Sequence, residues 1–475
     1  MSTDSQPSDT PQRLDASSPL DSPRSATSFA LSFIALLAGL IVSALAQHLW
    51  PGDPERTLLC GGGAIALTIA LVDLVFFGTS RRPSSGLAAH ALRPASLGEA
   101  AVRFLGLLVT LATIGLVYWL FPEYHGTFYQ PYWHLLQTLA WPMLCLAPLY
   151  FLWTGTRLVK QRDPYLQLGR LLLGRGWDQL DRETLRSHWL AWTVKAFFLP
   201  LMVVYAEQRI TSTGQALRAL SWNTWSVYTF FYELSFLIDL LYCVLGYLLT
   251  LRVLDTQVRS TQPTVLGWVA ALVCYQPFYS VIGNFYLKYD EYTVGWQAWL
   301  AGYPVVHALW ATAIIILTLI YGLSTVAFGL RFSNLTDRGI ITSGPYRFTR
   351  HPAYLSKNLS WWLISVPFIS QLGWLTAVRQ CVLLVFLNLI YFLRARTEER
   401  HLGQDPTYLA YSRWIDEHGM FSKLRSRLRE RRSQAAPHDR AGNQELTLTE
   451  RPTHLERRPV PRSASAGPKK GRRRK

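Results

Sequence analysis

GIITSGPYRFTRHPAY, residues 339–354, joins the end of one long apolar run to the start of the next. RARTEERHLGQDPTYLAYSRW, residues 394–414, follows the last such run. Polar residues held at the ends of membrane helices are costly to place and mark function by default. Gly344-Pro345 makes a turn and bars a continuous helix. Pro352 suits the first turn of the helix that follows, which puts His351 at an amino end where backbone N–H groups are free for an anion. Arg347 and Arg350 add guanidinium forks of the kind that grip carboxylates, and Tyr346 and Tyr354 add aromatic faces with hydroxyls. Glu398 and Glu399 bring the opposite charge.

Working outward, half of the 475 residues are hydrophobic and only 16% are charged, a composition unlike that of two or three soluble domains. The apolar residues fall in blocks of about twenty, the length needed to cross a bilayer. Spans are expected near 29–47, 58–78, 103–121, 135–153, 189–206, 225–250, 264–283 and 303–329, then a tighter pair at 355–371 and 375–393. The fold class this predicts is all-α: a polytopic integral membrane protein of about ten transmembrane helices. Around it the chain divides into a disordered leader (1–28), an amino-terminal helical region (29–330), a motif unit with a helical hairpin (331–421) and a basic disordered tail (422–475).

Loop charge sets the orientation. Loop 79–102 holds Arg81, Arg82 and Arg93, loop 154–188 is rich in Arg and Lys, and loop 330–354 holds Arg331, Arg338, Arg347 and Arg350. The loops between them are poor in basic residues. Both termini and the two motif segments are therefore expected in the cytoplasm, with a bacterial inner membrane as the setting.

From Lys423 to Lys475 there are 17 Lys and Arg against 5 Asp and Glu, so the tail carries most of the +17 net charge. Such a run is solvated and suited to anionic lipid headgroups. With no folded reader and no interleaved aromatic residues, it does not argue for nucleic acid. The five cysteines lie in apolar runs without metal-ligand spacing, so no disulfide framework and no metal site are expected. Within spans fall Asp73, Lys195, Glu233, Asp239 and His307. Glu233 and Asp239 are six residues apart on one helix, about 120° around it, and do not make one obvious site. The stretch ending loop 154–188 reads either as amphipathic helices lying at the interface or as a packed connector.

Folded back, the hairpin would bring its two motif segments to one membrane face, making a pocket with both signs of charge and aromatic walls. R-H-P alone is a common turn and E-E alone a common helix-end pair; it is their order and spacing around a hairpin that carries weight. Such a pocket suits a zwitterionic cofactor with a sulfonium, whose methyl transfer needs placement more than covalent help.

The combination resembles the isoprenylcysteine carboxyl methyltransferases and their phospholipid N-methyltransferase relatives, integral membrane enzymes that use S-adenosylmethionine. The resemblance rests on Gly344-Pro345-Tyr346-Arg347, Arg350-His351-Pro352-Ala353-Tyr354, Glu398-Glu399, Tyr408 and Tyr411, and covers roughly residues 320–421. It implies that Tyr346, Arg347, His351, Pro352, Tyr354, Glu398 and Glu399 hold S-adenosylmethionine, with Arg350 and Glu399 as catalytic candidates. It implies a lipophilic acceptor: a prenylcysteine-like carboxyl or a phospholipid amine. A carboxylate needs no general base, and apart from His401 no residue of the motif unit is spare for that job, which leans toward the carboxyl. Two departures stand out: Ser356 replaces a usual glycine, and the chain carries seven to eight extra helices. NADPH-dependent sterol double-bond reductases share an Arg-His-Pro-x-Tyr loop on about ten helices; Arg396-Thr397-Glu398-Glu399-Arg400-His401 lies between the two patterns. A non-enzymatic transporter or scaffold is the remaining alternative; a transporter would be expected to show paired repeats or broken helices, and the sequence has neither signal.

Overall fold

A computed structural model describes residues 22–160, 163–424 and 426–427. The fold is all-α. Its helices are α1 (Phe29–Leu49), α2 (Pro54–Val75), α3 (Leu97–Leu120), α4 (Gln130–Arg157), α5 (Pro164–Leu172), α6 (Arg182–Arg218), α7 (Thr224–Leu248), α8 (Val265–Leu272), α9 (Phe278–Val281), α10 (Trp296–Trp299), α11 (Pro304–Val326), α12 (Pro352–Ser365), α13 (Trp374–Leu402) and α14 (Pro406–His418). Starts follow from capping chemistry. Ser28, Asp53, Ser96, Asp181 and Asn223 each accept a backbone N–H of the first turn of the long helix they precede.

Eight described helices are long and apolar enough to cross a membrane: α1, α2, α3, α4, α6, α7, α11 and α13. The expected count of ten is therefore corrected at two places. The run 264–283 breaks into α8 and α9, because Pro277 has no N–H to continue the ladder. The run 355–371 yields only α12, whose 14 residues span about 21 Å. It stops at Val366, which adopts a left-handed conformation (φ 46°). The hairpin partner α13 is long, 29 residues, and carries Glu398 and Glu399 on its own last turns rather than in a following loop.

The core is built around α6 and α7. Phe198, Leu201 and Val203 of α6 and Leu241, Tyr242 and Val244 of α7 are almost wholly inaccessible, packed with Leu36 of α1 and Ile65 of α2. The described residues up to Ser422 form one compact unit, so no boundary in packing falls at the expected 330/331 division. The expected tail lies mostly outside the described residues, as do residues 1–21 of the leader.

Residues 22–28 do not behave as the expected disordered leader. They pack on the motif loop: the Ala26 N–H donates to the Ile340 carbonyl (2.9 Å), and the Thr342 hydroxyl donates to the Pro23 carbonyl (2.7 Å). The packed-connector reading describes α5. Gly106 of α3 and Gly169 of α5 let the two backbones touch; a Cβ at either would lie 1.9 Å from a carbonyl oxygen of the other helix. The Arg103–Asp163 ion pair (2.7 Å) closes the same contact.

The three basic loops gather at one end of the molecule. The Ala88 N–H donates to the Arg157 carbonyl, Arg252 reaches the Ser85 carbonyl, and Asp255 pairs with Arg331 at 2.8 Å. Arg338 is the staple of this end. Buried to 3% exposure, it donates to the carbonyls of Thr256, Gly246, Phe332, Leu330 and Leu249. Loop 330–343 is thereby tied to the end of α7, with Thr336–Asp337 pairing antiparallel to Ser260–Thr261. Gly344 (φ 62°) then lets the chain turn under the Phe29 ring, where a Cβ would meet a ring carbon at 2.6 Å.

Candidate functional site

At this end an open cavity lies between α7, α8, α11, α12 and α13. Helix periodicity decides which side chains reach it. On α13, Tyr391, Arg394 and Glu398 are spaced i, i+3, i+7 and all line the cavity. On α12, Tyr354 and Lys357 do the same, below His351 at its amino end; on α11, so do Tyr321 and Thr325, with Phe328 following just beyond its end. Asp239 reaches it from α7 and Tyr275 from the turn after α8.

Tyr354 is the hinge of the outer part. Its hydroxyl donates to Glu398 Oε2 (2.9 Å), and its ring stacks on His351 with centroids 5.4 Å apart. Arg394 lies over the same ring, Cζ 5.2 Å from the centroid, and donates from Nη2 to Asn334 Oδ1 at 2.5 Å. The aromatic faces expected for a sulfonium are thus already committed, at Tyr354, to the protein's own His and Arg.

Glu399 points elsewhere. One position past Glu398, it is turned by about 100° and does not line the cavity. Instead its Oε1 meets His351 Nε2 (3.1 Å) and Arg350 Nη1 (3.5 Å), while Oε2 accepts from Arg396 (3.1 Å). Arg350 is itself anchored to Asp416 (2.5 Å) and the Ser412 carbonyl (2.9 Å) on α14. Glu399 therefore sets the positions of His351 and Arg350, and both of these do line the cavity.

The remaining expected residues divide as follows. Tyr346 lines the cavity, and its carbonyl accepts the Tyr411 hydroxyl (2.7 Å). Burial pushes the Tyr346 phenol well above its ordinary value, so it stays a neutral hydroxyl. Pro352 is buried in the first turn of α12. Arg347 is exposed and absent from the cavity wall, because the Gly344–Arg347 turn points it outward. Ser356 is buried with its hydroxyl donated back to the Ala353 carbonyl (3.3 Å), so its extra atoms stay within the helix. Tyr408 and Tyr411 are packed with Ile340 and Ile415 behind the loop and support it.

Sequence reasoning passed over Arg394, Lys357, Tyr321, Tyr391 and Asn334. A signal existed for the first of these: Arg394 and Glu398 are four apart on a helix and so share a face. Of the ionisable residues singled out in spans, Glu233 is satisfied by Arg209 (2.5 Å), whereas Asp239 belongs to the cavity. His401 also lines it, held by the Ser260 hydroxyl at 2.9 Å. No group of three or more metal-ligating side chains is found among the described residues.

Arg394 offers a planar fork suited to a carboxylate, and Glu398 an acceptor suited to an ammonium or to hydroxyls. Neither curated proteins nor solved structures match the chain. Residues 306–404, which contain nearly all of α11, the whole of α12 and α13 and every motif residue from Tyr346 to Glu399, match the isoprenylcysteine carboxyl methyltransferase family.

Proposed function

We propose that this membrane protein transfers the methyl group of S-adenosylmethionine to a lipophilic acceptor, with the cofactor's amino-acid head held by Arg394 and Glu398. The family match over 306–404 supports a methyltransferase. The observation that carries the cofactor reading is the Tyr354-centred arrangement: one ring holds a cation over its face while its hydroxyl holds a carboxylate, offering both signs of charge side by side.

When bound, S-adenosylmethionine supplies an electrophilic methyl on a sulfonium. The chain's part is placement and electrostatics. Arg394, backed by Asn334, fixes one end of the ligand, and Glu398, oriented by Tyr354, balances positive charge. Arg350 and His351, held by Glu399, form the wall nearest α14. The basic loops at this end favour its placement on the cytoplasmic side, where the cofactor is made.

The test is equilibrium binding of S-adenosylhomocysteine and of NADPH to the detergent-purified chain, in parallel with Glu398→Gln. Saturable S-adenosylhomocysteine binding that weakens in Glu398→Gln is expected. NADPH binding in its place would overturn the reading in favour of a reductase.

A further inference from the structure

The connector between α4 and α6 carries a second, smaller pocket that shares no residue with the cavity. It is lined by Leu166, Gln167 and Arg170 of α5 and by Gly176, Gln179 and Leu180 of the turn that follows. That turn has a fixed shape. Asp163 caps α5, and Gly176, in a left-handed conformation (φ 80°), brings the chain back over the helix. The Asp181 N–H then donates to Gln167 Oε1 (3.0 Å), while the Asp181 carboxylate caps α6 through the Thr184 N–H (3.1 Å). A backbone N–H can only donate, so the amide oxygen of Gln167 must face it, which fixes the orientation of the amide. Gln167 is 8% exposed, and its Nε2 is left as a buried donor with no hydrogen-bond partner among the described residues. A buried donor is costly to leave unmet. The Arg170 guanidinium, on the same wall one turn on, has no ion pair among the described residues.

The wall holds one guanidinium, two side-chain amides and no carboxylate, so it favours an anion. The connector around it, residues 157–186, has seven Lys and Arg against four Asp and Glu. Beside the pocket, Leu172, Leu173 and Trp177 stand 61%, 48% and 69% exposed. Their depth gives this meaning. α5 touches α3 at Val102 and Gly106, within about 15 Å of the start of that span, at the end where the basic loops gather. This is the headgroup level of a bilayer, where exposed Trp and Leu meet lipid. We propose that the pocket seats the phosphate of an anionic phospholipid, held by Arg170 and the Gln167 amide, with Leu172, Leu173 and Trp177 against its acyl chains. A soluble anion would leave those three side chains uncovered, and a zwitterionic lipid would bring its ammonium to a wall without a carboxylate. The lipid is a resident ligand and not a methyl acceptor, so the proposal stands apart from the methyl-transfer reading. Bound there, it holds Gln167 against Asp181 and so fixes the start of α6, the helix around which the core is built. A ligand that binds only the folded chain raises its stability by mass action.

The experiment delipidates the full chain in a neutral detergent and adds back phosphatidylglycerol, phosphatidylcholine or inorganic phosphate. Native mass spectrometry reads the lipid retained, and the thermal midpoint is measured on the same samples, with a single gel-filtration peak as the check of fold. Phosphatidylglycerol is expected to stay bound and to raise the midpoint; phosphatidylcholine and phosphate are expected to do neither. Arg170→Gln should weaken phosphatidylglycerol binding by about tenfold or more, the loss of a hydrogen-bonded charge. Arg170→Lys, which keeps the charge without the fork, should retain part of the response, and it keeps the test open should Arg170→Gln fail to fold. No retention by the wild type, phosphatidylcholine acting as well as phosphatidylglycerol, or inorganic phosphate reproducing the shift would overturn the proposal. So would an undiminished response in Arg170→Gln, which would move the lipid to the basic tail that every variant shares.

Discussion

Tyr354 shows how much a single side chain can organise here, since its hydroxyl and ring each hold a different charged neighbour. Tyr354→Phe removes the donor to Glu398 and keeps the ring. A hydrogen bond to a charged group contributes about 1.5–3 kcal/mol, so S-adenosylhomocysteine affinity should fall by about tenfold or more in a binding titration. Arg394→Lys should not rescue function despite keeping the charge, because an ammonium offers neither the planar fork that reaches Asn334 nor the same stacking on Tyr354. Arg347→Ala, by contrast, should leave binding and turnover within about twofold, since an exposed side chain outside the wall contributes little. At this scale the sequence named the right segments but not every residue. Glu398 and Glu399 read as one pair, and only the helical phase of α13 separates the one that faces the cavity from the one that positions His351 and Arg350.

At the scale of elements, the site depends on a loop kept in shape by one buried cation. Arg338 donates to five carbonyls from the end of α7, the loop after it and the loop before the motif. Arg338→Met keeps the volume but leaves those carbonyls without their donor. Each buried polar group left unsatisfied costs about 1–3 kcal/mol. The variant should therefore unfold at a clearly lower temperature in detergent and bind S-adenosylhomocysteine weakly; a thermal midpoint equal to the wild type's would contradict the staple. The long helices were legible because apolar length and a Ser, Asp or Asn cap mark them directly. The two misread runs, 264–283 and 355–371, were legible only in part. Pro277 lies in the first, but the surrounding apolar residues outweigh it. The second stops at Val366, a β-branched residue in a left-handed conformation that no glycine announces. Both departures border the cavity, and short or broken helices are what leave a space open among long ones.

At the scale of the whole molecule, the motif-bearing segment is not self-sufficient. Asp239, Tyr275 and Gln262 reach the cavity from outside residues 306–404, and residues 22–28 brace the loop before Tyr346. A fragment spanning 304–422 is therefore predicted to lose S-adenosylhomocysteine binding, and co-expression with 1–303 to restore it. The composition foretold a polytopic all-α protein. It could not foretell which distant helices close the site, because a lone acidic residue in a span reads alike whether it pairs internally, as Glu233 does, or lines a cavity, as Asp239 does. The most direct test of the central claim is an experimental structure of the full chain with S-adenosylhomocysteine. The ligand is expected in this cavity, its carboxylate on Arg394 and its ammonium or ribose on Glu398. Ligand seated elsewhere, or lodged at Asp239 and Lys357 with Arg394 uninvolved, would contradict it.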